Sequence, residues 1–193
     1  MTGSEREQHG DSAIPERLIQ AALECFLNDD YHNVTTRKIA DVAGVSASMI
    51  RYYFGSKEGL YEDMIRQTLL PLINALDQPT DAPALNFSSF LKLYYDTITA
   101  NPKFPMLILK IMALNKGPGK NVIRQLLERG RDKGNKKISN MVSDQPFRSD
   151  IDPDLVRISF VSLAMMPMLS KSIFEEQIGK EMDADFLAKL ASF

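Results

Sequence analysis

The sequence predicts an all-α fold of about nine helices. Apolar residues recur at the three- and four-residue spacing of a helix face in one segment after another, and no segment shows the strict alternation of a half-buried strand. Proline, glycine and aspartate mark the breaks between these segments. With 193 residues, 44% of them hydrophobic, the chain can bury a substantial core as one large or two small domains.

Charge and cysteine content narrow the class of protein. The net charge is −2 and the isoelectric point is about 5.7, so any contact with nucleic acid must come from a local basic surface. The one cysteine, Cys25, lies in an apolar helical run, which predicts a buried structural thiol in a reducing cytoplasm. We see no signal peptide and no apolar run long enough to cross a membrane, and we expect residues 1–12 to fray. We therefore expect a cytoplasmic protein with no membrane partner.

The N-terminal domain is predicted to span residues 13–60. Its first helix, over residues 15–28, carries Leu18, Ala22 and Phe26 at four-residue spacing, which gives one apolar stripe. This helix would support the two short helices that follow it.

Residues 35–57, TTRKIADVAGVSASMIRYYFGSK, predict two short helices joined by a tight turn. The hydroxyl of Thr35 or Thr36 can accept from the unpaired backbone N–H groups that open the first helix. Gly44 suits a left-handed turn, which a Cβ atom would penalise. A helix, a glycine turn and a second helix of this size form a helix-turn-helix.

The second helix is predicted over residues 47–54, with Ser46 as its candidate cap. Ile50 and Phe54 lie four residues apart and would anchor the helix from behind. Its other faces carry small, basic and aromatic side chains, which suit the major groove of DNA. After it, Ser56 is expected to cap a further helix, whose first amides could hold a phosphate.

The run T-T-R-K-I-A-D-V-A-G-V-S-x-S-x-I-R-Y-Y-F-G-S-K-E-x-L at residues 35–60 resembles the DNA-binding segment of the tetracycline-repressor (TetR) family. The resemblance covers the first third of the chain, from residue 15 onward. It implies a homodimeric bacterial transcription regulator, usually a repressor, which a small ligand releases from its double-stranded operator. No cofactor is implied.

The resemblance also implies which side chains contact DNA. Thr36, Tyr53 and Lys57 would hold backbone phosphates, and the front of the second helix would face the groove. Arg51 stands where the family more often has tyrosine, and it could either read a guanine edge or pair with a phosphate. The predicted DNA-binding residues are Thr36, Arg37, Ser46, Ala47, Ser48, Met49, Arg51, Tyr52, Tyr53 and Lys57.

A long helix over residues 57–76 is expected to join this domain to the rest of the chain. Pro71 should kink it near its far end. The turn-rich residues 77–83 predict the domain boundary, and residues 77–193 a helical ligand-binding and dimerisation domain. We expect a bound ligand to tilt the connecting helix.

The segment at residues 152–173 predicts a helix that begins with Asp152 as its cap and is apolar nearly all round. Pro167 would kink it. Such a helix must be buried on two sides, and a partner subunit would cover the second. The expected homodimer therefore forms through residues 152–173 and the last helix, 183–193.

A small-molecule pocket is expected among the middle helices, with a plain packed core as the alternative. Thioether and aromatic side chains repack around varied shapes, which suits a lipophilic effector. The candidate lining residues are Phe87, Phe90, Tyr94, Met106, Met112, Phe160 and Met166. Eight basic residues at 116–137 lack interleaved aromatics, so they favour a solvated helix face over a second nucleic-acid patch.

The leading hypothesis is a sequence-specific DNA-binding regulator. With two histidines, one cysteine and no metal-ligand or nucleophile–base spacing, the chain is not expected to be an enzyme. One alternative is an architectural or division-control DNA-binding protein without an inducer. The other is a helical carrier or enzyme that has lost DNA binding.

Overall fold

The computed structural model describes residues 13–77, 87–101, 103–114, 117–143 and 152–192. Within these ranges the chain forms eleven helices and no strand, which confirms the all-α class. The helices are α1 (Ile14–Asn28), α2 (Thr36–Ala43), α3 (Ser48–Phe54), α4 (Lys57–Thr68), α5 (Leu70–Asp77), α6 (Phe87–Thr99), α7 (Phe104–Leu114), α8 (Lys120–Ser143), α9 (Pro153–Leu169), α10 (Lys171–Ile178) and α11 (Ala184–Ser192).

The helix count exceeds the prediction because two predicted long helices are each divided. The first divides at Leu69, between α4 and α5, two residues before Pro71. Proline has no N–H to donate to the carbonyl four residues earlier, and it disfavours helical geometry in the residue before it. The kink predicted near Pro71 is therefore a break two residues before the proline.

The second division falls at Ser170, where the axes of α9 and α10 differ by 75°. As predicted, Asp152 caps α9, because its carboxylate accepts from the Asp154 amide at 2.8 Å. Pro167 lies inside α9 and leaves the Leu163 carbonyl without its usual helical donor. The Tyr95 hydroxyl of α6 donates to that carbonyl at 2.7 Å, and this hydrogen bond links α6 to α9.

The chain divides into two compact units. The first contains Met1–Thr68 with Leu114–Val122, and the second contains Leu69–Ala113 with Ile123–Phe193. Of the turn-rich segment that we predicted as a boundary, residues 78–83 lie outside the described residues, as does the tail at residues 1–12.

In the first unit, α1 packs against α2, α3 and α4. The predicted stripe on α1 is buried, and Leu18, Ala22 and Phe26 are each at most 3% exposed. From the other helices, Ile39 and Leu60 are also fully buried. Cys25 is buried, as predicted, and desolvation raises the pKa of its thiol.

In the second unit, α6 packs against α5, α9 and α11. Leu91, Tyr95 and Ile98 form the buried face of α6, and Leu187 of α11 is buried as well. No single helix among the described residues is long and apolar enough to span a membrane. The bent pair of α9 and α10 meets the criteria of length and composition only when the two are taken together.

Candidate nucleic-acid interface

The start of α2 is set by Thr35. Its backbone is extended, and its hydroxyl accepts from the Lys38 amide at 3.1 Å, which confirms Thr35 as the cap. Thr36, the other candidate, is the first helical residue and is half-buried. Arg37 is exposed beside it. The first turn of α2 therefore leaves a hydroxyl and a guanidinium available near the protein surface.

The turn between α2 and α3 has the geometry that the glycine predicted. Gly44 has φ of 65° and ψ of 38°, in the left-handed region. The Val45 amide donates to the Ala40 carbonyl at 3.0 Å and the Gly44 amide to the Asp41 carbonyl at 3.2 Å. These bonds close the end of α2 and fix the direction in which the chain enters α3.

Arg17 of α1 secures the same turn, and the sequence analysis missed it. Its guanidinium donates to the Ala43 carbonyl and, at 3.1 Å, to the Gly44 carbonyl. A cation at a helix C-terminus also interacts favourably with the helix dipole. The acceptors lie 26 and 27 residues further along the chain, so no local pattern could have indicated them.

Helix α3 begins at Ser48, one residue later than predicted. The Ser46 hydroxyl lies 2.9 Å from the Ser48 hydroxyl and 3.4 Å from the Ser48 amide. The cap position of α3 is Ala47, and no side chain caps this helix, so the prediction of Ser46 as the cap was wrong. Ile50 is 1% exposed, and Phe54 is half-buried. The helix is therefore held from behind mainly by Ile50, with Phe54 as a partial second anchor.

The outer face of α3 is formed by Ser48, Arg51 and Tyr52, at positions i, i+3 and i+4 of one helix face. All three side chains are exposed, and Tyr52 is 76% exposed. Tyr53 is half-buried, and its ring meets the Tyr52 ring edge to face, with centroids 4.8 Å apart. Ala47 is exposed, at the cap position of α3, and Met49 is half-buried.

The half-buried side chain of Lys57 makes two hydrogen bonds within the protein. Its ammonium donates to the Tyr31 carbonyl at 2.8 Å and to the Val34 carbonyl at 2.9 Å. It also lies 4.1 Å from the centroid of the Tyr31 ring. Two of its three N–H groups are thus used within the protein, and the assignment of Lys57 as a phosphate ligand stays a prediction.

The other cations of this region differ in their surroundings. Lys38 lies 3.5 Å from Asp29, a carboxyl whose pKa is lowered by hydrogen bonds from the Asn33 side chain and the Asp30 amide. Within the part of the chain that the structure describes, Arg37 and Arg51 form no ion pair. The guanidinium groups of α2 and α3 therefore carry the outward positive charge.

The second unit contains an aromatic cluster, which we define as Phe87, Phe90, Tyr94 and Phe160. The Phe160 ring lies 5.5, 5.0 and 6.4 Å from the other three, centroid to centroid. Tyr94 is buried, and desolvation raises the pKa of its hydroxyl, which lies 3.0 Å from the Met165 sulfur. The three phenylalanines are half-buried.

The structure does not bring all of the predicted pocket residues to this cluster. Met106 and Met166 are 55% and 56% exposed, which corrects their assignment as lining residues. The face of α7 opposite Met106 is buried and consists of Phe104, Pro105, Ile108 and Ile111. Met112 is half-buried on the same helix.

Helix α9 buries one face and exposes another that is also apolar. Ala164, Met165 and Met168 are at most 9% exposed, whereas Leu155 and Ile158 are more than 60% exposed. The second apolar face predicted from the sequence is thus present and uncovered in the single chain. On α11 the apolar residues Leu187 and Ala191 are buried instead.

Residues 18–64 match the family model for bacterial regulatory proteins of the tetR family. Over 58 residues the chain is 41% identical to the HTH-type transcriptional regulator RutR of Escherichia coli, a segment that covers 30% of this chain and 27% of RutR. The chain therefore matches well under half the length of this relative.

Solved structures share the fold over nearly the whole chain. A putative fatty acid metabolism regulator of Clostridium perfringens is 20% identical, with a TM-score of 0.67 over 90% of this chain and 92% of that one. The transcriptional regulator FadR of Bacillus subtilis, solved with stearoyl-CoA, is 16% identical, with a TM-score of 0.65 over 91% and 96% of the two chains. Residues 18–64 belong to the tetR family of bacterial regulatory proteins, and the chain as a whole shares the fold of these solved regulators.

Proposed function

We propose that this protein is a sequence-specific DNA-binding transcription regulator, a homodimeric repressor that a small lipophilic ligand releases from its operator. The observation that carries the proposal is the outer face of α3. A short helix seated by the buried Ile50 presents Ser48, Arg51 and Tyr52 to solvent. A hydroxyl, a guanidinium and a phenol on one exposed helix face can contact base edges and phosphates in a major groove.

Each side chain has a role that follows from its position. Ser48 and Tyr52 point away from the buried side of α3 and would meet base edges, together with the small Ala47 at the entering end. Arg51 would donate to a guanine edge or to a phosphate. Arg37 and Thr36 at the start of α2, and Tyr53 at the side of α3, would contact the sugar-phosphate backbone.

The exposed apolar face of α9 supports the proposed homodimer. Leu155, Ile158 and Met166 are each more than half exposed, and a second copy of the same face would remove them from water. Replacing Ile158 with Asp should convert the dimer to a monomer in analytical ultracentrifugation. A dimer of unchanged stability would exclude this face as the interface.

The aromatic cluster supports a lipophilic effector. Its three half-buried phenylalanines offer apolar surface that an acyl chain or ring could cover. FadR of Bacillus subtilis shares the fold and was solved with stearoyl-CoA, so acyl-CoA is a reasonable first probe. Stearoyl-CoA should bind in calorimetry and lower the affinity for operator DNA, and Phe90→Asp should abolish both effects. Acyl chains that neither bind nor alter DNA affinity would contradict this assignment.

DNA binding is tested by replacing two side chains of α3. Arg51→Ala and Tyr53→Ala should each weaken binding to a selected duplex by about tenfold or more while leaving the melting temperature nearly unchanged. Arg124→Ala is a matched control, because Arg124 is an exposed arginine on α8 paired with Glu128. Affinity in gel-shift titrations that is unchanged in both α3 variants would remove the basis of the proposal.

A further inference from the structure

Lys57 is the first residue of α4, and its side chain reaches back to the connection between α1 and α2. The two carbonyls that it contacts, of Tyr31 and Val34, lie 26 and 23 residues earlier in the chain. Val34 is fully buried and immediately precedes Thr35, the cap of α2. The ammonium is thus bonded to the segment that determines where α2 begins.

The Tyr31 ring is itself held in place by packing. It stacks on Phe26 of α1 at 5.6 Å and meets the edge of Tyr61 of α4 at 5.1 Å, centroid to centroid. The Lys57 ammonium covers this ring at 4.1 Å. One cation therefore contacts two backbone carbonyls and an aromatic face that three elements share.

This environment restricts what the ammonium can do for DNA. If all three N–H groups were to donate to a phosphate, two internal hydrogen bonds would break, and two carbonyls would lose the Lys57 donor. Lysine binds phosphate as a point charge and gains most when its side chain is free to follow the backbone. At Lys57 the geometry favours the internal contacts over a phosphate.

We propose that Lys57 is a positioning residue for the recognition helix. It fastens the α1–α2 connection to the start of α4, and it thereby fixes the beginning of α2 and the helix-turn-helix that follows. The effect on DNA rests on the proposed function, since it is seen as affinity for a duplex. The fastening itself is a property of the free protein and can be measured without DNA.

Two substitutions separate positioning from charge. Lys57→Met removes the cation and both hydrogen bonds, whereas Tyr31→Leu removes the aromatic face and changes no charge. Each should lower the melting temperature of the free protein by roughly 4 °C or more. Because both break the same cluster, the double variant should lose less than the sum of the two single losses. Lys57→Arg should recover most of the loss, since a guanidinium can donate twice and stack on a ring.

On DNA, each single variant should bind a selected duplex about tenfold more weakly at a temperature where it is fully folded. The slope of log affinity against log salt concentration should stay at the wild-type value in both. Lys92→Met is the control, because Lys92 is an exposed lysine on α6 in the other unit, and it should alter neither stability nor affinity.

Two results would overturn the proposal. If Lys57→Met lowers the salt slope by about one while Tyr31→Leu binds like the wild type, Lys57 is a phosphate ligand. If both variants melt earlier but bind DNA normally when folded, Lys57 is only part of the scaffold. If the wild type binds no duplex, the proposed function fails. The melting temperature of the variant that carries both Lys57→Met and Tyr31→Leu still tests whether Lys57 fastens the connection. A decrease equal to the sum of the two single decreases would show that it does not.

Discussion

Gly59 marks a close approach between the end of α3 and the first turn of α4. An added Cβ would lie 2.2 Å from the Phe54 carbonyl oxygen and 3.3 Å from its carbon. These are backbone atoms, so they cannot rotate away as a flexible side chain would. Replacement with alanine must therefore move the C-terminus of α3 away from α4 by about 1 Å to restore ordinary van der Waals contact.

The expected cost follows from two opposing effects. Overpacking of this severity costs about 3 kcal/mol, whereas alanine in a helix is favoured over glycine by about 1 kcal/mol. Gly59→Ala should therefore lower the free energy of unfolding by about 2 kcal/mol, as measured in urea. Because the displaced element is the recognition helix, DNA affinity should fall as well, even at temperatures where the variant is folded.

Gly130 provides the matched control. It lies within α8, and a Cβ built there meets no atom within 4 Å. Gly130→Ala should therefore stabilise the protein by about 0.5–1 kcal/mol, from the conformational freedom that glycine loses on folding. If Gly59→Ala were as stable as Gly130→Ala, the described packing of α3 against α4 would be wrong.

Three further predictions concern single side chains. Arg17→Met removes the donor to the carbonyls at the end of α2 and should lower the free energy of unfolding in urea by about 1–2 kcal/mol. DNA binding should weaken as well. A loss of stability without a loss of DNA affinity would limit Arg17 to a structural role. Tyr95→Phe leaves the Leu163 carbonyl without its donor and should lower the free energy of unfolding by about 1 kcal/mol or more. Tyr94→Phe removes only a hydrogen bond to a sulfur and should lower it by less. The reverse order would contradict the described bonding. Burial raises the pKa of Tyr61 from 10.0 to about 12, so between these pH values the folded chain keeps a proton that the unfolded chain has released. The free energy of unfolding should therefore fall as pH rises from 10 to about 12, and it should fall less steeply in Tyr61→Phe. An equal slope in the wild type and the variant would contradict the burial of that hydroxyl.

The elements that depend on local chemistry were predictable from sequence. The Thr35 cap needs only a hydroxyl three residues before an unpaired amide, and the left-handed Gly44 needs only the absence of a Cβ. The cap at Asp152 follows from the same local rule. These contacts lie within a few residues of chain, where residue type and spacing determine the geometry.

The remaining features depend on contacts between distant segments. Lys57 has a side chain that can bind phosphate, but its partners are the carbonyls of Tyr31 and Val34, 26 and 23 residues earlier in the chain. The sequence does not specify the path of the connection that carries them. Met106 was a candidate lining residue because a thioether suits a lipophilic pocket, but only the neighbouring helices determine which apolar face of α7 is buried. The break at Ser170 likewise follows no local rule, since the proline lies three residues earlier, inside α9.

The central claim is that the outer face of α3 reads DNA, and selection from a random library of duplexes tests it most directly. We expect enrichment of one sequence, arranged as two half-sites separated by about 10 base pairs or a multiple, because a dimer presents two recognition helices. Binding should fall steeply with salt, and the library selected with Arg51→Ala should lose the preference at one position of each half-site if that arginine reads a base. No enriched sequence and no salt-dependent affinity would contradict the account.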